Sequence, residues 1–284
     1  MRYLPNGKQM SEADAHTIHK IGIPSLVLME RAALQIVETM QKKNISTEKS
    51  LIVCGSGNNG GDGFAVARLL TEQGKHADVL FAGKEASLSE ECRCQKQIVE
   101  NMGISVFTEF PDEEYTVIID AVFGVGLCRE ITGHYKDVID WMNLQDTEKV
   151  AVDIPSGICA ATGKILGTAF RADLTVCMAC VKLGCELFPG KSYAGESIPV
   201  AIGIDPKYFS NHLDVCYTFD KNDLGKLLPS RMMNSHKGSY GKVLMITGSP
   251  GMAGAAFLSA CAAYTVGAGL VQIYTASENR LALQ

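Results

Sequence analysis

Three short segments carry residue types that could do chemistry. The first, Leu51–Gly63, reads LIVCGSGNNGGDG. Gly55, Gly57 and Gly60 formally make a G-x-G-x-x-G pattern between a short apolar run and a helical one. Glycines permit a tight turn in which several backbone N–H groups converge on a phosphate at a helix N-terminus. The continuation Asn58-Asn59-Gly60-Gly61-Asp62-Gly63 adds two amides and an acid that a redox dinucleotide loop does not need. Such a loop also calls for an acid at the far end of the second strand, to grip the adenosine ribose. Here Asp78 begins that strand and its far end reads Ala82-Gly83. An NAD(P)-dependent oxidoreductase is therefore disfavoured, and a purely structural glycine turn remains a competing reading.

The second segment places Asp120 at the end of TVIID, followed by Ala121-Val122-Phe123-Gly124-Val125-Gly126-Leu127-Cys128-Arg129-Glu130. The third is Val152-Asp153-Ile154-Pro155-Ser156-Gly157, again with an acid closing an apolar run. Oxygen groups delivered by several loops suit a hard cation better than a transition metal. An Asp at a strand end can also act as general acid/base when partly desolvated. For Asp120 alone, a helix cap in a βα turn is the competing explanation.

The elements that must hold these segments alternate. Helices are predicted at 11–20, with Ser11 and Asp14 as a capping arrangement, and at 24–43, with Pro24 in its first turn. Strands follow at Leu51–Cys54, Asp78–Ala82, Ser105–Phe107, Thr116–Asp120, Lys149–Asp153 and Asp173–Ala179. Helices are expected from about Gly63 to Gln73, at 88–102 and near 134–144. Continuously apolar strands alternating with amphipathic helices specify a parallel sheet covered on both faces, an α/β three-layer sandwich. Its ligands belong beyond the carboxyl ends of the strands, where the three segments fall. The periodicity lapses over 204–235. It resumes with a strand at Lys242–Thr247, a glycine-rich loop, a helix at Ala255–Val266 and a strand at Leu270–Tyr274.

Composition excludes several classes. The chain has 284 residues, 46% hydrophobic and 20% charged, with 31 acids against 26 Lys and Arg. A net charge of -5 offers no general attraction for nucleic acid or anionic membrane. No run approaches the roughly 18 apolar residues of a membrane span. The N-terminus lacks a signal-peptide core, so a cytoplasmic location is expected. Most of the ten cysteines, among them Cys54, Cys177, Cys180 and Cys261, sit in apolar runs and read as buried small hydrophobes. Gly190-Lys191-Ser192 has the tail of a P-loop, but Cys185 occupies the required upstream glycine position. Lys182 and Lys191 read as solvated surface, with the mouth of the pocket as the alternative, and Trp141 as a core residue.

Together the N-terminal helices, NNGGDG at 58–63, DAVFGVGL at 120–127 and VDIPSG at 152–157 resemble the NAD(P)H-hydrate epimerases over roughly residues 1–215. The resemblance implies a Rossmann-like fold, a homodimer, a bound potassium ion (K+) and, as substrate, NAD(P)H hydrated at C6 of the nicotinamide ring. It implies that Asn58, Asn59, Gly60, Gly61 and Asp62 hold the substrate's phosphates. Gly124, Val125, Gly126, Leu127, Cys128, Arg129 and Glu130 would form a second substrate loop, and Tyr135 a further contact. Asp153 would meet the reacting ring and serve as acid/base, and Asn59, Asp120 and Ser156 would hold potassium. A non-catalytic dinucleotide-binding module is the remaining alternative.

The segments HKG at 236–238, GSPGMAGA at 248–255 and VGAGL at 266–270 resemble the opening of the ADP- or ATP-dependent hydrate dehydratases, whose fold is ribokinase-like. Ala255 would be a substrate contact there. The Gly-x-Gly-Asp segment of that family, which carries its catalytic acid and nucleotide contacts, is absent from this sequence. The sequence therefore predicts an epimerase domain over 1–215, a linker over 216–235 and an incomplete dehydratase-like fragment over 236–284, without dehydratase activity.

Overall fold

A computed structural model describes residues 1–227 and 230–283. The chain forms two compact units, Met1–Lys221 and Asn222–Gln284.

The first unit begins with strand β1 (Arg2–Leu4) and helix α1 (Gly7–His16), which runs into one π-helical turn, Thr17–Ile21. Helix α2 spans Ser25–Lys42. Then come β2 (Lys49–Cys54), α3 (Asn58–Glu72), β3 (His76–Phe81), α4 (Glu90–Asn101), β4 (Val106–Phe107) and β5 (Val117–Ala121). They are followed by α5 (His134–Leu144), β6 (Glu148–Val152), β7 (Leu174–Met178), the short helices α6 (Leu183–Glu186) and α7 (Lys191–Ala194), β8 (Glu196–Val200) and β9 (Cys216–Thr218). Seven strands form one sheet in the order β4-β3-β2-β5-β6-β7-β8, every neighbouring pair parallel. The expected α/β sandwich is thus present.

Both faces of the sheet are covered, which is why its strands read as continuous apolar runs. Ile52, Val79, Ile119 and Val176 point to one face and pack with Ile36, Met40, Phe64 and Leu70. Leu51, Val53, Leu80 and Ile118 point to the other, against Val138, Ile139, Met142 and Phe170. The strand order reverses between β2 and β5, and such a switch point opens a crevice at the strands' carboxyl ends.

Several local expectations are corrected. Helix α1 starts at Gly7 because Asn6 and Gln9 make a reciprocal capping box, each side chain bonding the other's backbone N–H at 2.9–3.0 Å. Ser11 instead donates back to the Gly7 carbonyl. Helix α3 starts at Asn58 rather than near Gly63, so NNGGDG is its first turn and a half, capped by Gly57. The edge strand β8 is not evident from sequence because Pro199 interrupts ESIPV, and proline is tolerated only at such an edge. Strand β1 pairs antiparallel with β9, which brings 216–218 into the first unit.

The second unit contains α8 (Leu224–Leu227), β10 (Lys242–Ile246), α9 (Ala253–Thr265), β11 (Leu270–Tyr274) and α10 (Arg280–Leu283). Strands β10 and β11 pair in parallel, from Lys242 opposite Leu270 to Ile246 opposite Tyr274. Cys261 on α9 is exposed, not buried as its apolar surroundings suggest, because only Ala256 and Ala263 of that helix are enclosed. All ten cysteines are free thiols.

Candidate active site

A cleft of about 630 Å³ opens at the switch point, within the range of small-molecule sites. Asn58, Asn59 and Asp62 from the start of α3, the 122–129 loop after β5, and Asp153 after β6 all line it. Met10, Asp14, Leu28 and Ile204 complete its wall from the N-terminal helices and the segment beyond β8.

The two loops meet backbone to backbone. A Cβ placed on Gly55 would stand 2.1 Å from the Val122 carbonyl oxygen, and one on Gly60 2.0 Å from that of Gly55. Gly60 is therefore a packing residue, and Gly61 lies against Met29. Neither lines the cleft, nor do Glu130 and Tyr135. The Tyr135 ring instead packs on Phe123, with centroids 4.8 Å apart. Ala255 belongs to the second unit, on α9.

Beneath the loops lies an oxygen cluster. Asp120 is fully buried and accepts from Ser156 Oγ (2.6 Å), Ser156 N–H (2.7 Å) and Val122 N–H (3.1 Å). Ser156 Oγ accepts from the Phe123 N–H at 2.8 Å and sits 3.3 Å from the Phe123 carbonyl. Burial pushes the Asp120 carboxyl up to about 6, although the hydrogen bonds from Ser156 and Val122 pull the other way. No cationic side chain pairs with it among the described residues. Asn59 stands directly across the 122–126 loop, its amide 3.4 Å from where a Gly124 Cβ would be. Among the described residues its buried Nδ2 has no hydrogen-bond partner, and turning the amide over would place the oxygen there instead.

Asp153 has an unusual backbone, φ +69°, in the left-handed region. A non-glycine residue there costs about 1–2 kcal/mol, and such strain clusters at functional sites. Its N–H donates to the Val176 carbonyl at 2.8 Å, and Oδ1 accepts from the Met178 N–H at 2.9 Å. Lys182, expected on the surface, is instead completely buried and ion-paired to the same Oδ1. Burial opposes its charge, but the Asp153 carboxylate outweighs that and holds the ammonium above its ordinary pKa. Lys191 is exposed beside Glu186, as its sequence suggests. Burial also pushes the Asp62 carboxyl well up, helped by the nearby Asp153 and Asp14 carboxylates, while Lys182 opposes the shift. Burial and Asp153 raise Asp14 as well.

Residues 25–184 match the family model described as YjeF-related protein N-terminus. An NAD(P)H-hydrate epimerase of Oenococcus oeni is 42% identical over 201 residues, covering 70% of this chain and 96% of that protein. The chain belongs to the NAD(P)H-hydrate epimerase family. A relative from Limosilactobacillus reuteri with the same name is 43% identical over 197 residues, 93% of its length. The bifunctional NAD(P)H-hydrate repair enzyme Nnr of Moorella thermoacetica is 34% identical over 282 residues, 95% of this chain. This chain spans about half, 53%, of that relative's length. The crystal structure of yeast ynu0 shares the fold, with TM-score 0.60 at 17% identity over 76% of this chain and 99% of that one.

Two further charged residues of the site, Asp14 and Lys182, lie outside the three motifs. Asp14 lies on the α1 face that closes the cleft, and its position in the sequence suggests only a helix cap, a role that Asn6 and Gln9 fill instead. Lys182 sits in CMACVKLG, where a lone lysine inside an apolar run was the available signal.

Proposed function

We propose that the chain interconverts the R and S forms of NAD(P)H hydrate at C6 of the nicotinamide ring, as repair of damaged cofactor. The observation that carries this reading is the convergence of Asn58, Asn59, Asp62, the 124–129 loop and Asp153 on one cleft of a family member. The free N–H groups of the first turn of α3 offer a seat for the diphosphate. Asp62 is compatible with that seat because burial favours its neutral form, which can donate a hydrogen bond instead of repelling phosphate.

Inversion at C6 breaks and remakes one bond. Either the hydroxyl departs as water, leaving C6=N1, and water returns on the opposite face. Or the hydroxyl loses its proton while C6–N1 opens to an aldehyde, with a proton taken up by the departing enamine, and the ring recloses on the other face. Both routes turn on moving a proton at the hydroxyl oxygen, and neither oxidises or reduces the substrate. In this proposal Asp153 is the acid/base. Its strained backbone and the bonds from Met178 and Lys182 fix the carboxylate at the cleft wall.

The Asp120 cluster fits a monovalent cation: its ligand atoms are all oxygen and, among the described residues, its buried carboxylate lacks a counter-charge and a buried Asn59 amide atom lacks a partner. Among the described residues no group of three His, Cys, Asp or Glu could hold a transition metal. Asn59, Asp120, Ser156 and the Phe123 carbonyl would hold potassium, which supplies positive potential under the 122–129 loop. The reading further includes a homodimer, and no ADP- or ATP-dependent dehydration by these 284 residues. In support of the latter, the second unit pairs two strands and contains no Gly-x-Gly-Asp segment.

Incubating the purified protein with the separated R and S hydrates of NADH and NADPH, in potassium and in lithium buffers, tests this. The proposal expects rapid interconversion in potassium only. Hydride transfer with unhydrated NADH would favour an oxidoreductase, and binding without turnover a cofactor-binding module. Nucleotide-driven loss of the S form would refute the absence of dehydration.

A further inference from the structure

Lys182 is the one completely buried lysine among the described residues, and nothing in the three motifs accounts for it. Its Nζ donates to the Met178 carbonyl at 2.9 Å and to Asp153 Oδ1. The N–H of Met178 donates to that same Oδ1 at 2.9 Å. Lys182 and the end of β7 therefore close a small ring on one oxygen of Asp153. Among the described residues no donor reaches Oδ2, and the Asp153 side chain keeps 13% of its surface exposed where the residue lines the cleft.

Burying an ion pair gives little net stability, because desolvation of both charges offsets their attraction. The consequence of this pair lies in the conformation of Asp153. Without Lys182 only the Met178 N–H would hold Oδ1, and the carboxylate would be freer to rotate about χ2. With it, Oδ1 is tied down and Oδ2 is the oxygen left for a ligand.

We propose that Lys182 is the positioning residue of the site: it clamps Oδ1 of Asp153 so that Oδ2 alone meets the substrate hydroxyl. This rests on the epimerase reading. Lys182 lies behind Asp153 and does not line the cleft, so it acts through the carboxylate and makes no substrate contact of its own.

The test is a double-mutant cycle between Lys182→Met and Asp153→Asn, read as kcat and KM for interconversion of the R and S hydrates. Loss of a positioned acid/base typically costs 10²–10⁴-fold, so Asp153→Asn should fall by about that factor. Lys182→Met should lower kcat by roughly 10–100-fold and leave KM within about threefold, as expected for a group that acts only through a general acid/base. Lys182→Arg, which keeps the cation, should recover at least about tenfold of that loss. In the Asp153→Asn background, Lys182→Met should change the residual rate by less than about twofold, since coupled residues are non-additive. The double variant leaves neither charge buried, whereas Asp153→Asn leaves the Lys182 ammonium against a neutral amide, so circular dichroism must show both folded before their rates are compared. A further tenfold loss in the double variant, or wild-type kcat in Lys182→Met, would overturn the proposal. Absence of epimerisation by the wild-type protein would instead strike the functional reading beneath it.

Discussion

Gly55→Ala probes the contact that sets the distance between the two candidate substrate loops. Gly55 follows β2 at the switch point, and its N–H donates to the Ala121 carbonyl at 3.0 Å. An added Cβ would lie 2.1 Å from the Val122 oxygen, 3.0 Å from its carbonyl carbon and 3.2 Å from its Cα. All three atoms are backbone, one residue beyond the β2–β5 ladder and with the Val122 N–H bonded to Asp120, so no side chain can swing away. A normal carbon–oxygen contact requires the gap to widen by about 1 Å, and overpacking of this kind costs typically 1–3 kcal/mol. With backbone on both sides, the upper end, about 3 kcal/mol, is expected. For a urea slope of about 1–3 kcal/mol per molar, the unfolding midpoint should fall by roughly 1–3 M. A displacement of about 1 Å can also cost on the order of 10²-fold in rate. Equilibrium urea unfolding followed by circular dichroism, alongside the epimer assay, measures both. Gly126→Ala is the control for stability, since nothing lies within 4 Å of its added Cβ, and it should stay within about 0.5 kcal/mol of wild type. A Gly55→Ala protein as stable as the Gly126→Ala control would refute the packing argument.

Potassium should raise the melting temperature relative to lithium at equal ionic strength. Binding at a hundred times Kd contributes about 2.7 kcal/mol, and each kcal/mol shifts Tm by roughly 2–4 °C for a domain of this size. Asp120→Asn should abolish the difference, whereas an equal rise in both proteins would place the cation elsewhere. Asp62 gives a pH prediction. Its folded pKa lies above the unfolded value, so its stabilising contribution is complete below the ordinary carboxylate range and is lost as pH rises toward the raised value. The stability of Asp62→Asn relative to wild type should therefore grow as pH rises above the ordinary carboxylate range in urea titrations. A difference independent of pH would contradict the shift.

What sequence could convey about this molecule follows from where its signals are local. The strand-end acids Asp120 and Asp153 were legible because a fully buried parallel strand reads as an apolar run, and a charge that closes it marks the sheet edge. Strand β8 was not, since its pairing with β7 overrides the poor strand propensity of Pro199. Local sequence points to a later start for α3 because glycines in NNGGDG argue against helix, while close packing of Gly60 on Gly55 demands them there. Within the site, no local pattern reveals that Asp14 closes the cleft, because that depends on where α1 docks. Lys182 depends likewise on a partner 29 residues away, and average lysine behaviour points to solvent.

The most direct test of the account is the rate at which purified protein interconverts separated R and S hydrates of NADH, compared between wild type and Asp153→Asn by chromatography in potassium buffer. The account predicts rapid equilibration by wild type, and a rate roughly 10²–10⁴-fold lower with Asp153→Asn, approaching the spontaneous reaction. A wild-type protein that does not accelerate interconversion, or an Asp153→Asn protein that equilibrates the epimers as fast as wild type, would contradict it.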